Sequence, residues 1–324
     1  MKKDVHKILK RILLFSTPFM IWIFLVMTID PFNYFNISKL IEQKVKDRSS
    51  KKLNSLMYNC ISFKNNPVQN VIIGDSRIRK FPITVIQNLS GEEYFSLYSN
   101  AAKLNEIIDL FWYAEKTCLN EEAKLKNVLI GLNFNLYNKY AYADRVHDVK
   151  EILNNPFLYI FNASTLETIY LSLKYTLFGI DPEILKDKNF FWKHTVDKVA
   201  TDHYARYVYP DGILERLKEI SYYCDENSIN LKIIIVPHHQ DFHDKLIEYG
   251  LEEEEIRFKR EISEIGRVID FDYPNEITRN PNAFGDPLHT TESISAQMIK
   301  EIFSDSLIIG RDLHKDSFKI RSID

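Results

Sequence analysis

Residues 70–77, Asn-Val-Ile-Ile-Gly-Asp-Ser-Arg, decide how this chain is read. Val71, Ile72 and Ile73 form an unbroken β-branched run, the pattern of a strand buried on both faces, and Gly74-Asp75-Ser76 supplies the turn that ends it. The same plan recurs in YFSLY (94–98), NVLIGL (127–132), LKIIIVP (231–237) and RVIDF (267–271). Apolar residues at helical spacing fill 104–119, 212–226 and 253–265, and again 291–304. Strands alternating with helices in this way predict an α/β domain of three layers, αβα, around a five-stranded parallel sheet. Residues 138–210 are too long for a simple crossover. Their aromatic segments NPFLYIFN, TLETIYLSLKYTLFG and DKNFFWKHTV predict a helical insertion that would serve as a lid.

In an open parallel sheet, ligands bind beyond the carboxyl ends of the strands, where the strand order reverses. With the order 2-1-3-4-5, the first and third strands are neighbours at that point, so Ser76 leaves the sheet beside Asn133 of Gly131-Leu132-Asn133-Phe134. Late in the chain, Asp286-Pro287-Leu288-His289 offers a carboxylate and an imidazole three residues apart. A serine hydroxyl needs a base to take its proton, and a histidine needs a carboxylate to hold the productive tautomer. Ser76, His289 and Asp286 fit those roles. Donors for a developing oxyanion are the Ser76 N–H, the Asn133 side chain and an N–H near Asn100 or Ala101. Each motif alone has a plainer reading: Gly-Asp-Ser as a helix-capping turn, Asp286 with Thr290 as helix-entry chemistry. Their joint position at the functional ends of elements favours catalysis. The α/β-hydrolase elbow Gly-x-Ser-x-Gly is absent.

Around these three, Arg77, Asn100, Asn135 and His238 are candidate substrate contacts, Arg77 suiting an anionic group such as an acidic sugar. The loop Pro237 to Asp244 gathers His238, His239 and His243 with Asp241 and Asp244. Adjacent ligands strain metal geometry, so the loop is expected to rim the cleft rather than hold a metal. No cofactor is called for.

Ile12 to Ile29 (ILLFSTPFMIWIFLVMTI) carries no charge over 18 positions and would span about 27 Å as a helix, close to the thickness of a bilayer core. It is long for the apolar part of a signal peptide, and no small-x-small cleavage site follows, so a single-pass anchor is expected. Lys2, Lys3, Lys7, Lys10 and Arg11 precede it, whereas only Lys39 and Lys44 occur in the next fifteen residues. The positive-inside rule therefore puts the N-terminus in the cytoplasm and the remainder at the periplasm or the outer face of the plasma membrane. The chain divides into a basic tail (1–11), the anchor (12–29), a helical stalk (30–66) and a catalytic domain (67–324). Within the stalk, 37–60 reads as an amphipathic helix broken at Ser49 and Ser50.

Without the first eleven residues, 37 basic and 44 acidic side chains remain, a balance that gives no electrostatic footprint for nucleic acid. Cys60, Cys118 and Cys224 are an odd number at wide spacings, neither a metal pattern nor a disulfide framework. The 45% apolar content fills a substantial core, which also accounts for most of the 21 Phe and 18 Tyr.

On Gly74-Asp75-Ser76, Gly131-Leu132-Asn133-Phe134 and Asp286-Pro287-Leu288-His289, the chain resembles the SGNH, or GDSL, hydrolase superfamily. In particular it looks like the membrane-anchored branch similar to proteins that O-acetylate extracellular polysaccharides. The likeness covers roughly residues 67–305 apart from the insertion, judged by pattern. It implies a flavodoxin-like sheet, with Ser76 as nucleophile, Asn133 as oxyanion donor, His289 as base and Asp286 as its orienter. One block departs: where the family usually offers a glycine N–H, Leu97 to Ala102 contains no glycine, and Ala101 would have to donate instead.

The expected function is acyl-ester chemistry on an envelope or exported polysaccharide or another acylated small substrate, with a membrane-bound acyl-donor protein as partner. Transfer and hydrolysis share their first half-reaction. Two further readings are a lipase or thioesterase, which the same triad would serve, and a catalytically silent, membrane-tethered glycan-binding scaffold, which the missing glycine favours.

Overall fold

The computed structural model describes residues 2–179, 188–304 and 306–313. Residues 180–187 of the expected insertion, and the end of the expected catalytic domain beyond 313, lie outside the described residues. In chain order the helices are α1 (Lys2–Ile29), α2 (Gln43–Leu53), α3 (Ser55–Asn65), α4 (Ile83–Ser90), α5 (Leu104–Asn120), α6 (Arg145–Asn154) and α7 (Pro156–Ile160). There follow α8 (Ala163–Phe178), α9 (Lys188–His194), α10 (Thr201–Tyr204), α11 (Ile213–Glu226), α12 (Gln240–Glu248), α13 (Glu252–Ser263) and α14 (Glu292–Ile302). The strands are β1 (Asn70–Gly74), β2 (Phe95–Tyr98), β3 (Asn127–Leu132), β4 (Asn230–Ile235), β5 (Arg267–Asp270), β6 (Phe284–Asp286), β7 (His289–Thr290) and β8 (Arg311–Asp312).

The fold is α/β around a mixed sheet of six strands, ordered β2-β1-β3-β4-β5-β8. This corrects the expected five-stranded, wholly parallel sheet. The pairs from β2 to β5 are parallel, but β8 joins the β5 edge antiparallel. Apolar packing and charge both hold it: Leu313 is buried and Ile309 packs on the core beside Phe271, the Arg311 guanidinium grips Asp270 through Nε at 2.9 Å and Nη2 at 2.7 Å, and Leu313 N–H donates to Val268 O. The edge is thereby blunted by charge and a very short strand.

All five residues of β1 are buried, so both faces of the sheet are covered, as the β-branched run requires. Close packing is tightest where β1 and β3 end. A Cβ on Gly131 would stand 2.6 Å from Ile78 Cγ2, and one on Gly74 3.1 Å from the same atom. The two glycines thus let Ile78 seat against the strand ends, which holds the intervening Ser76 segment down on the sheet.

The described residues form two compact units, Met1–Ser62 with His147–Glu183, and Phe63–Val146 with Ile184–Asp324. The expected insertion is divided between them. The second unit contains the sheet. In the first, α1 ends at Asp30, a left-handed residue (φ 39°) whose buried carboxylate accepts from the N–H groups of Tyr34, Phe35 and Asn36 and from Tyr159 Oη. Tyr34 stacks on Tyr159 with centroids 4.4 Å apart. The helix break expected at Ser49 and Ser50 falls at Asn54 instead. Both serines are buried inside α2, because small side chains there allow close approach to α8.

Candidate active site

β1 delivers Ser76 to the carboxyl edge of the sheet, and the later hairpin meets it there. Ser76 Oγ lies 2.8 Å from His289 Nε2, and His289 Nδ1 lies 2.9 Å from each carboxylate oxygen of Asp286. The Asp-x-x-His spacing has a simple cause. β6 and β7 pair antiparallel with Asp286 directly opposite His289, and Pro287-Leu288 makes the turn between them. Leu288 N–H donates to Asp286 Oδ1 at 3.0 Å, and the loop after β4 braces the turn through His239 N–H to Pro287 O at 2.8 Å. Burial pushes the Asp286 carboxyl up, but hydrogen bonds from His289 and the Leu288 N–H outweigh it and hold the group below its ordinary 3.8. An ionised carboxylate of this kind fixes the imidazole with its proton on Nδ1 and leaves Nε2 free to accept the serine proton.

The neighbouring segments supply candidate oxyanion donors. Asn133 follows β3, and its Nδ2 donates to Val236 O at 2.5 Å, bridging the exits of β3 and β4. One amide hydrogen remains for another acceptor. Ala101 adopts φ 52°, the left-handed region that glycine occupies without strain. The backbone shape associated with glycine is therefore present although the residue is alanine. Asn100 and Ala101 are held from outside: Arg145 Nη1 and Nη2 donate to their carbonyls at 3.2 Å each, while Arg145 Nε and Nη2 clasp the buried Glu106 at 2.8 and 2.6 Å. Ala101→Gly should relieve Cβ strain and raise stability by about 0.5–1 kcal/mol after the glycine entropy cost. A higher urea midpoint with undiminished ester turnover is the expected result, and a lower midpoint would count against strain at this residue.

No family model matches the chain, and no curated protein matches it in sequence. Among solved structures it is similar to a Streptococcus pneumonia protein provisionally described as a platelet activating factor, at 10% identity over 81% of this chain and 96% of that one, with a TM-score of 0.39.

The remaining expected contacts are placed differently from one another. Arg77 is buried, its N–H donating to Asp75 Oδ1 at 2.9 Å and its Nη2 to Asn135 Oδ1 at 2.7 Å. Asn135 is buried too, with Nδ2 3.4 Å from His203 Nε2. Arg77 and Asn135 therefore form an internal polar chain running from the Ser76 turn to α10. His238 is buried with its Nδ1 2.8 Å from Asp272 Oδ2, and its N–H donates to Asp272 Oδ1. Burial pushes Asp272 up, but the His238 ring and Lys259 bring it down to about 2. Among the described residues no group of three or more His, Cys, Asp or Glu is disposed to hold a metal. Cys60, Cys118 and Cys224 are all buried.

Sequence reasoning missed Arg145, Glu106, His203 and Trp192. Trp192 of α9 packs edge-on against His239 at 4.8 Å and donates Nε1 to Asp241 Oδ2 at 2.7 Å, so this part of the aromatic segment packs against the β4 exit loop. His203 follows a π-helical turn, Thr195–Ala200. Burial, then Arg77 and Lys103, push its imidazole down to about 4 from 6.5. Between those two pH values the folded chain binds fewer protons than the unfolded one, so stability should decline as pH drops from 6.5 and level off below about 4. His203→Gln should flatten that decline in urea titrations. A variant with the same slope as the natural chain would show that another group carries it.

Proposed function

We propose that this chain is a membrane-anchored serine acyl-ester enzyme of the SGNH type, with a flavodoxin-like sheet, acting as an O-acetyltransferase or O-acetylesterase on an envelope or exported polysaccharide. The single observation that supports it most is the continuous relay from Ser76 Oγ through His289 to Asp286. Ser76 Oγ attacks the acyl carbonyl carbon as its proton passes to His289 Nε2. The Asn133 amide and the N–H groups of Ser76 and Ala101 stabilise the oxyanion. The carbonyl then reforms, the ester C–O bond breaks, and His289 returns the proton to the leaving alkoxide. A sugar hydroxyl or water repeats the sequence on the Ser76 ester, with His289 again as base. α1 is long and apolar enough to cross a membrane; in this reading it anchors the chain with the N-terminus cytoplasmic and the catalytic unit outside.

The test uses the full chain in detergent with p-nitrophenyl acetate, followed by peptide mass spectrometry. Release of nitrophenol with transient acetylation of Ser76 is expected, and an added oligosaccharide acceptor that becomes acetylated identifies the transferase. No release and no Ser76 acetylation would leave the silent scaffold as the better reading. Turnover that requires long acyl chains or thioesters would favour the lipase or thioesterase.

A further inference from the structure

We infer that the outward face of α7 and α8 is seated in the bilayer, in the same leaflet where α1 ends, with the basic helix α2 lying at anionic lipid headgroups. The inference rests on α1 being a membrane anchor. It adds a second, monotopic contact.

The polarity of α8 is reversed from that of a helix in a water-soluble protein. Its buried positions are Thr165, Thr168 and Ser172 together with Ile169, and they pack against α2, where Ser49 and Ser50 are also buried. Its exposed positions are Ala163, Glu167 and Thr176 together with four large apolar residues. Leu166, Tyr170, Leu177 and Phe178, with Phe157 in α7 and Phe161 at its end, are each more than half exposed. Residues 166, 170 and 177 fall on one stripe at helical spacing. In water, burial of the small polar side chains and exposure of the apolar stripe gives away hydrophobic stabilisation on both counts. Against lipid the arrangement is favourable, because small polar residues let helices approach closely while large apolar ones face the acyl chains.

The position of this face relative to the anchor is fixed by a hydrogen bond. Trp22 Nε1 donates to Ile160 O at 3.0 Å. Trp22 lies seven residues before the end of α1 at Ile29, about 10 Å along the helix axis. The end of α7 therefore sits alongside a part of α1 that would be inside the bilayer, not beyond its surface. The Asp30 turn and the stacked Tyr34 and Tyr159 pin the two segments together, so the face cannot swing away without breaking them.

Charge identifies lipid as the occupant. α2 has the sequence QKVKDRSSKKL, and Lys44, Arg48, Lys51 and Lys52 are exposed with Asp47 as the one acidic residue in the helix. A basic helix flanking an apolar face is the composition of an element that lies in a membrane interface. Each basic side chain near an anionic surface adds on the order of 1 kcal/mol.

The test places a single NBD-labelled cysteine in the full chain, whose own cysteines are buried, at Phe161→Cys, Tyr170→Cys or, within the anchor, Phe19→Cys. Each is reconstituted in phosphatidylcholine and phosphatidylglycerol vesicles with or without brominated acyl chains. Expected is at least a halving of emission by brominated lipid at all three sites, with shielding from iodide in the buffer. If position 19 is quenched while 161 or 170 is not, and iodide reaches the unquenched site, the second contact is overturned and that face belongs to water or to a protein. If position 19 is unquenched, the anchor itself fails.

Discussion

Ser76→Ala should lower acetyl-ester turnover by up to about 10⁶-fold, the scale on which loss of a triad nucleophile acts. The Oγ to His289 Nε2 contact at 2.8 Å is the only side-chain hydrogen bond that Ser76 makes among the described residues, and both ends are partly exposed. Its removal should therefore cost about 1 kcal/mol of stability or less. Activity and folding can thus be separated in one variant: a thermal midpoint close to that of the natural chain with nitrophenol release at the level of free buffer. Natural-level turnover in Ser76→Ala would remove the serine from the mechanism and with it the acyl intermediate.

Asp286→Asn should cost about 10⁴-fold, the scale seen when a triad carboxylate is replaced by its amide. The local geometry explains why so small a change matters. Asn Oδ1 can still accept the Leu288 N–H that now goes to Asp286 Oδ1, which leaves the amide NH₂ facing His289 Nδ1. Nδ1 must then be the acceptor and Nε2 carries the proton, so the ring no longer offers a base to Ser76. Raising the pH cannot reverse a tautomer fixed in this way. The natural carboxylate, held below its ordinary 3.8, is mostly ionised above that value, so acid loss of activity near neutral pH should not arise from Asp286. Ser76→Ala with Asp286→Asn together should be no slower than Ser76→Ala alone, because the two act as a unit. A steady-state comparison of the three variants checks this, and additive losses would count against a shared relay.

What could be read from residues alone was what is local. The runs at 70–74 and 127–132 carry their own burial pattern, and Asp-x-x-His carries its own turn, so both are visible without tertiary information. β8 was not visible, since its two residues, Arg311 and Asp312, carry no apolar run and are placed by partners distant in sequence, Asp270 and Arg267. The left-handed backbone at Ala101 was hidden for another reason: its carbonyl is held by Arg145, which Glu106 clasps, contacts distant in sequence, and alanine advertises a right-handed or extended residue. His203 bears no motif and reaches Asn135 only through the fold of a segment read as a lid. In α8 the aromatic spacing was legible, but its orientation was not, because a helical period reports a stripe without saying whether protein, water or lipid meets it.

The short hairpin that pairs Asp286 with His289 has a kinetic implication. Acid and imidazole come together through one tight turn, so bringing those two groups side by side costs little chain entropy. Only the meeting with Ser76, 213 positions away, waits for the sheet to close. Recovery of turnover after denaturation should therefore follow a single rate, that of bringing the first strand and the late turn together, rather than the sum of three independent arrivals.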